Sequence, residues 1–177
     1  MSSRKANHVL ITGGGGYIGR HLVPELVSKG YSISIIGRAP VSFQGMDIEC
    51  KTANVTCLDQ IREVIPGTDI LIHLACLPVN RSFAYPVDDY EVNALGTFYA
   101  LRAAHEAGVK KVIFMSTSEL IGRPITIPID ENHPINPISP YGASKASAEN
   151  SCQIMHQVFG LPTVVLRTFN VYGMAAD

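Results

Sequence analysis

The sequence predicts an α/β fold, a doubly wound parallel sheet with helices on both faces. Three observations carry this. Short apolar runs alternate with longer stretches of helical period along the whole chain. Those runs are apolar at successive positions, as strands covered on both faces are. With 46% hydrophobic and 16% charged residues among 177, the chain can also fill such a core without staples.

The elements follow in order. "HVLIT" (8–12) is a buried strand stopped by four glycines. "YIGRHLVPELVSKG" is a helix with Ile18, Leu22, Leu26 and Val27 as its apolar stripe and Gly30 as its C-cap. Pro24 removes one hydrogen bond inside it. "YSISII" (31–36) is a β-branched second strand and "DIECKTA" (47–53) a weaker third. "CLDQIREVI" (57–65) is a short helix ended by Pro66-Gly67, and "DILIHLA" (69–75) is the fourth strand. One long helix spans 86–108, with Val92, Leu95, Tyr99 and Ala103 on one face. "KVIFMS" (111–116) is the fifth strand. Residues 122–140 hold five of the eleven prolines and form a long connection of the kind that lines sites. A helix follows over 140–160, with Ser139 as N-cap and Pro140 at its first position. "TVVLR" (163–167) is the sixth strand. All of this is expected to form a single domain over 1–177.

The net charge of -1 and the two adjacent basic pairs, Arg4-Lys5 and Lys110-Lys111, argue against nucleic acid or an anionic membrane as partner. No apolar run approaches the ~20 residues of a membrane span. "MSSRKANH" has no signal-peptide core, so a cytoplasmic location is expected. Cys50, Cys57, Cys76 and Cys152 form no CxxC and read as reduced packing residues. The six histidines form no HExxH or HxxxH pair, so no metal site is expected.

Between the first strand and the first helix stands "TGGGGYIG". Gly13, Gly16 and Gly19 have the spacing G-x-x-G-x-x-G. The first two let the chain turn tightly and bring backbone N–H groups to a pyrophosphate at the helix N-terminus. The third lets the helix pack on the strand. At this place in a βαβ unit the pattern points to a Rossmann-like dinucleotide site. The acidic residue that would hold an adenosine ribose is missing from the end of the second strand, where Gly37 and Arg38 stand. An arginine without the acid suits a 2′-phosphate, so the cofactor is NADP or NAD, with the sequence favouring NADP.

"SPYGASK" (139–145) places Tyr141 four residues ahead of Lys145, on one helix face. Together with "HLAC" (73–76), "NALGT" (93–97), "STSELIG" (116–122) and "LRTFNVYG" (166–173), it resembles the extended short-chain dehydrogenase/reductases that act on nucleotide sugars. The order and spacing match from residue 8 to residue 173.

The resemblance implies roles. Gly13, Gly16, Tyr17, Ile18 and Gly19 hold the pyrophosphate. Asn54 and Val55 flank the adenine, with Asn54 where the family usually has Asp. Leu74 and Ala75 wall the cofactor, and Asn93 backs the site. Tyr141 and Lys145 are the central pair and also contact the cofactor. Thr117 is the hydroxyl partner of Tyr141. Thr117, Ser118 and Asn170 contact the substrate, Asn170 at its diphosphate. Glu119 resembles the carboxylate of dehydratases and decarboxylases, and it is equally a carboxylate on the rim. Ile121 replaces a tyrosine usual in the family. The activity implied is epimerisation or dehydration of a nucleotide sugar through a 4-keto intermediate.

The chemistry fits the residues. Oxidising a sugar alcohol needs a base poised near pH 7. Free tyrosine titrates near 10, so lowering it that far means ~4 kcal/mol of phenolate stabilisation, which Lys145 one turn away would supply. Gly142 and Ala143 are expected to leave room for cofactor and substrate. A net-reducing, NADPH-dependent enzyme of the same family and a non-catalytic dinucleotide-binding module are the competing readings. The family continues into a C-terminal substrate-binding portion that this chain does not carry, so weak nucleotide binding and little turnover are expected. Oligomers in this family often pair through two long helices, here 86–107 and 140–159, so a homodimer is a reading the resemblance offers.

Overall fold

The computed structural model describes residues 7–174. Six strands, all parallel, form one sheet: β1 His8–Thr12, β2 Ser32–Gly37, β3 Glu49–Thr52, β4 Ile70–His73, β5 Lys111–Thr117 and β6 Thr163–Thr168. Their order is β3-β2-β1-β4-β5-β6. The chain winds outward from β1 to β3, crosses back, and continues through β4 to β6. The direction of winding therefore switches between β1 and β4, where open α/β sheets bind ligands at the carboxyl ends of their strands.

Successive strand residues face opposite sides, and both sides are apolar. Val9, Ile11, Ile33, Ile35 and Ile72 pack with Val23 of helix α1 (Tyr17–Ser28). Leu10, Ile36, Leu71, Val112 and Phe114 pack against α2 (Leu58–Val64), α5 (Gly96–Glu106) and α6 (Pro140–Gln157). This is the two-sided burial that the apolar runs predict. The helix ends are set locally. Gly30 sits at φ +82°. Its N–H donates to Val27 O at 2.9 Å and the Tyr31 N–H to Leu26 O at 3.1 Å, the Schellman pattern. Ser139 Oγ accepts from the Gly142 N–H at 3.0 Å and Pro140 begins α6, both as expected.

Three segments differ from the sequence reading. A short helix, α3 (Val79–Ser82), follows β4 where no element was expected. The helix expected over 86–108 is three pieces: α4 (Pro86–Tyr90), a π-turn (Glu91–Leu95) and α5. The wide turn surrounds Asn93, whose carbonyl accepts from the Thr97 hydroxyl at 2.6 Å. Periodicity cannot reveal it, because the turn answers contacts with residues distant in sequence, and such turns recur at functional sites. β4 ends at His73 rather than 75, because the Ala75 N–H turns to the Thr12 hydroxyl at 3.2 Å and leaves the ladder. Among the described residues no helix is long and apolar enough to cross a membrane.

Candidate active site

The glycine turn joins the ends of β1, β2 and β4. The Gly13 N–H donates to Ile36 O and the Gly16 N–H to Gly13 O, each at 2.9 Å. Gly13 has φ +70°, and a Cβ there would stand 2.7 Å from the Ala75 nitrogen, so only glycine lets the two strand ends meet. Gly16 is an extended N-cap whose helix has no side-chain cap. Among the described residues no side chain caps the first turn, whose amides at Tyr17, Ile18 and Gly19 an α-helix leaves without intrahelical acceptors. A Cβ on Gly19 would overlap the Gly14 carbonyl oxygen. The third glycine thus serves the contact of α1 with the turn itself, not with the strand as expected.

Around this turn lies a cavity of about 520 Å³ at the switch point. Gly13, Gly16, Tyr17, Ile18 and Gly19 form one wall, Gly37 and Arg38 the mouth beyond β2, Asn54 and Val55 the end beyond β3, and Leu74 and Ala75 the wall beyond β4. Of the eleven residues predicted for the nucleotide besides Tyr141 and Lys145, all but Asn93 thus line one space. Its shape fits an elongated dinucleotide: glycines at the point of closest backbone approach, open helix amides for a pyrophosphate, and a cation at one end. The sequence reading missed Ile36, Ala53, Cys76, Leu77, Pro78, Val92 and Val171, which complete the lining. Ile36 near the end of β2, Ala53 just after β3 and the residues after β4 are signalled by position alone; nothing local marks Val171. Cys76 is therefore exposed at the cavity rather than a packing residue, and of the four cysteines only Cys152 is fully buried.

Asn54 shows why an amide can stand at its position. Its Oδ1 accepts from the Thr56 N–H at 3.2 Å, and its carbonyl from the Cys57 N–H at 2.9 Å, launching α2. Asn93 is buried, with Oδ1 accepting from Leu77 N–H at 2.7 Å. Its Nδ2 donates to Leu77 O at 3.1 Å, Asp89 Oδ1 at 2.8 Å and Ser144 Oγ at 3.3 Å. It clamps the cavity wall to α4 and α6, and so backs the site without lining it.

His73 links these parts. The Ala75 N–H donates to Thr12 Oγ1. Thr12 Oγ1 meets His73 Nδ1 at 2.8 Å, and His73 Nε2 meets Thr97 Oγ1 at 3.2 Å. Because Thr97 gives its own proton to Asn93 O, it accepts from Nε2–H, and Nδ1 accepts from Thr12. The ring is neutral with one tautomer. Burial, then the Lys145 charge, push its pKa down to about 3.

Tyr141 and Lys145 lie on the first turns of α6, beside the end of β5. Lys145 is 3% exposed. Its Nζ donates to the Met115 carbonyl and lies 4.1 Å from the centre of the Phe114 ring. Burial pushes it down to about 8. Thr117, also buried, is hydrogen-bonded with Tyr141, and its Oγ1 accepts from the Glu119 N–H at 3.2 Å. Ser118 is half-buried, and Glu119 is exposed on the turn after β5.

Two expectations need correction. The Tyr141 phenol is held above, not below, its ordinary value: burial raises it, and neighbouring Cys76, Asp89 and Glu119 add to this against the Thr117 hydrogen bond. The Lys145 ammonium is instead engaged by the Met115 carbonyl and the Phe114 ring. Gly142 does not make room for ligand either. A Cβ there would stand 2.7 Å from Glu119 O and 3.0 Å from Pro137 Cβ, so glycine allows α6 to approach the β5 turn. Asn170 is exposed and outside the cavity lining, whereas its neighbour Val171 is part of it. Ile121 is buried in the fold. Among the described residues no group of three or more His, Cys, Asp or Glu could hold a metal.

Comparison with known proteins agrees with this geometry. The model of the NAD dependent epimerase/dehydratase family matches residues 9–176. A putative UDP-glucose 4-epimerase of Methanocaldococcus jannaschii is 34% identical over 175 residues, 96% of this chain and 57% of that protein. A dTDP-D-glucose 4,6-dehydratase of Mus musculus is 35% identical, over 95% of this chain and 51% of its own. The crystal structure of UDP-glucose 4-epimerase from Brucella ovis in complex with NAD superimposes with TM-score 0.86 at 30% identity, covering 93% of this chain and 52% of that one. The chain spans about half the length of the relatives it matches.

Proposed function

We propose a function from one premise: the chain belongs to the NAD dependent epimerase/dehydratase family. It forms the nucleotide-binding domain of an epimerase or dehydratase acting on a nucleotide sugar. One observation carries this: the cavity lined by the glycine turn reaches Leu77, which Asn93 ties to Ser144, between Tyr141 and Lys145 on α6. Cofactor space and candidate chemistry are thus continuous. The glycine turn, Asn54, Val55, Leu74 and Ala75 would hold a nicotinamide dinucleotide, which would supply the hydride acceptor for a sugar carbon and, when oxidised, a positive charge favouring the Tyr141 phenolate.

Within that frame each residue has a task. Tyr141 takes the proton from the sugar hydroxyl as the 4-keto sugar forms, and Thr117 fixes the direction of the phenol. Lys145, which titrates near 8, is cationic at neutral pH and offers its remaining N–H donors toward the site. Glu119 is a carboxylate at the rim of Tyr141, suited to a C5 proton if the reaction is a dehydration. Ser118 and Asn170 are assigned to the substrate. Arg38 at the cavity mouth favours NADP, while the solved relative from Brucella ovis binds NAD. The four unpaired cysteines suit a cytoplasmic location. A homodimer would cover Leu95 and Phe98 of the 86–106 helical stretch and Ile154 of α6, all exposed.

The test is turnover over a panel of UDP- and dTDP-linked sugars with bound cofactor. Conversion without net consumption of cofactor, reduced roughly 10²–10⁴-fold in Tyr141→Phe with nucleotide binding intact, is expected. Stoichiometric oxidation of NADPH would instead make it a reductase. Full activity of the phenylalanine variant would remove Tyr141 from the mechanism.

A further inference from the structure

We propose that Asp89 is the buried counter-charge of Lys145 and the positioning residue of the Tyr141–Lys145 turn. For its consequence in catalysis this rests on the reading above; as a statement about the two side chains it does not. Asp89 is 0% exposed and lies on α4, which packs on α6. Its Oδ1 accepts from Asn93 Nδ2 at 2.8 Å, while Oδ2 has no partner among the described residues. A carboxylate so enclosed is costly unless a charge answers it.

Lys145 is the cation that needs the same answer. It is 3% exposed, and among the described residues no carboxylate forms an ion pair with it. The other carboxylate buried beside it, Glu149, is committed: Arg167 Nη2 donates to it at 2.8 Å and Nε at 3.1 Å. His73, facing Lys145 from β4, is neutral by its hydrogen bonds. Cys152, one turn beyond Ala148 on α6, is a thiol that burial keeps protonated, and Cys76, in the loop after β4, is exposed at the cavity. Asp89 is left as the buried carboxyl without a cation of its own: burial raises its pKa, and neighbouring Ser144, Lys145 and Asn93 act against that rise.

The two are also joined mechanically. Asn93 Nδ2, which donates to Asp89, donates to Ser144 Oγ at 3.3 Å. Ser144 precedes Lys145 and gives its own proton to Tyr141 O at 2.9 Å. The acid thus holds, through one amide, the helix turn that carries both Tyr141 and Lys145. The sequence contains the signal: Asp89 and Asn93 stand four apart in "DYEVN", one helical turn.

The test is an NMR titration of the Lys145 Cε in chain labelled with 13C-lysine, assigned with Lys145→Arg. Asp89→Asn keeps shape and removes charge, and the folded variant should release the Lys145 proton at a pH lower by about half a unit or more, about a threefold change in proton affinity. An unchanged Lys145 titration overturns the proposal. Should the variant not fold, the parent decides. With 13C-aspartate label, an ionised Asp89 carboxyl at pH 7 supports the pairing, and a protonated one overturns it. Nucleotide titration of the same samples reads the cofactor site separately, so either reading can fail alone.

Discussion

Lys145 is a buried ammonium, and holding it there costs the fold stability. Its pKa is 10.5 in the unfolded chain and about 8 in the folded one. Between those values the unfolded state binds more protons, so this group makes stability rise as pH rises from about 8 to 10.5. Below that window the cost is fully present, ~3 kcal/mol. Lys145→Met should therefore be more stable than the parent at pH 7 by up to ~3 kcal/mol, with the gap closing by pH 10.5, in urea melts at both pH values. Tyr141 and Cys152 are both held above their ordinary values by burial, so in the unfolded chain they lose protons within this same alkaline range, which is why the parent–variant difference is the quantity to read. A variant less stable at pH 7 would mean that the Asp89 carboxylate left unanswered, together with the lost Met115 and Phe114 contacts, outweighs the relief of desolvation.

At the scale of elements, the first strand, the glycine turn and α1 act as one piece, and two glycines separate what the turn needs from what the helix end needs. Gly30 has φ +82° with open space around it, so Gly30→Ala should cost about 1–2 kcal/mol of strain and leave nucleotide binding alone. Gly19→Ala drives a methyl into the Gly14 carbonyl and should cost more, about 2–3 kcal/mol, while weakening nucleotide binding. Denaturant melts beside nucleotide titrations check both; equal effects on binding would remove the turn from the site. This part of the site was legible because glycine spacing and strand period are local signals. The Tyr141–Lys145 face was legible for the same reason. What stayed hidden depends on residues far apart in sequence. The π-turn at Glu91–Leu95 is shaped by Asn93 bonding Leu77 and Ser144. The high phenol pKa comes from burial under several elements. Val171 reaches the cavity only because β6 ends beside it. The long proline-rich connection also braces the fold: the Ile125 N–H donates to His133 Nε2 at 2.9 Å and the Asn136 N–H to Leu120 O at 2.9 Å.

For the whole molecule, two apolar surfaces compete as places of self-association. Leu95, Phe98 and Ile154 are exposed on the helices. Val164 and Leu166 of β6 are 40% and 41% exposed, on the side of the strand away from α6. The homodimer reading predicts that Phe98→Glu with Ile154→Glu gives a monomer by sedimentation velocity, while Leu166→Lys leaves the dimer intact; the reverse outcome would move the interface to the sheet edge. The central claim, however, is that the crevice between β1 and β4 holds a nicotinamide dinucleotide, and calorimetric titration of the chain with NADP and with NAD tests it most directly. The account predicts saturable one-to-one binding, tighter for NADP, with Arg38→Ala narrowing the difference by about 1–3 kcal/mol. Equal affinities would refute the role of Arg38 alone. No saturable binding of either nucleotide up to about 1 mM, an affinity weaker than about −4 kcal/mol, would contradict the account itself.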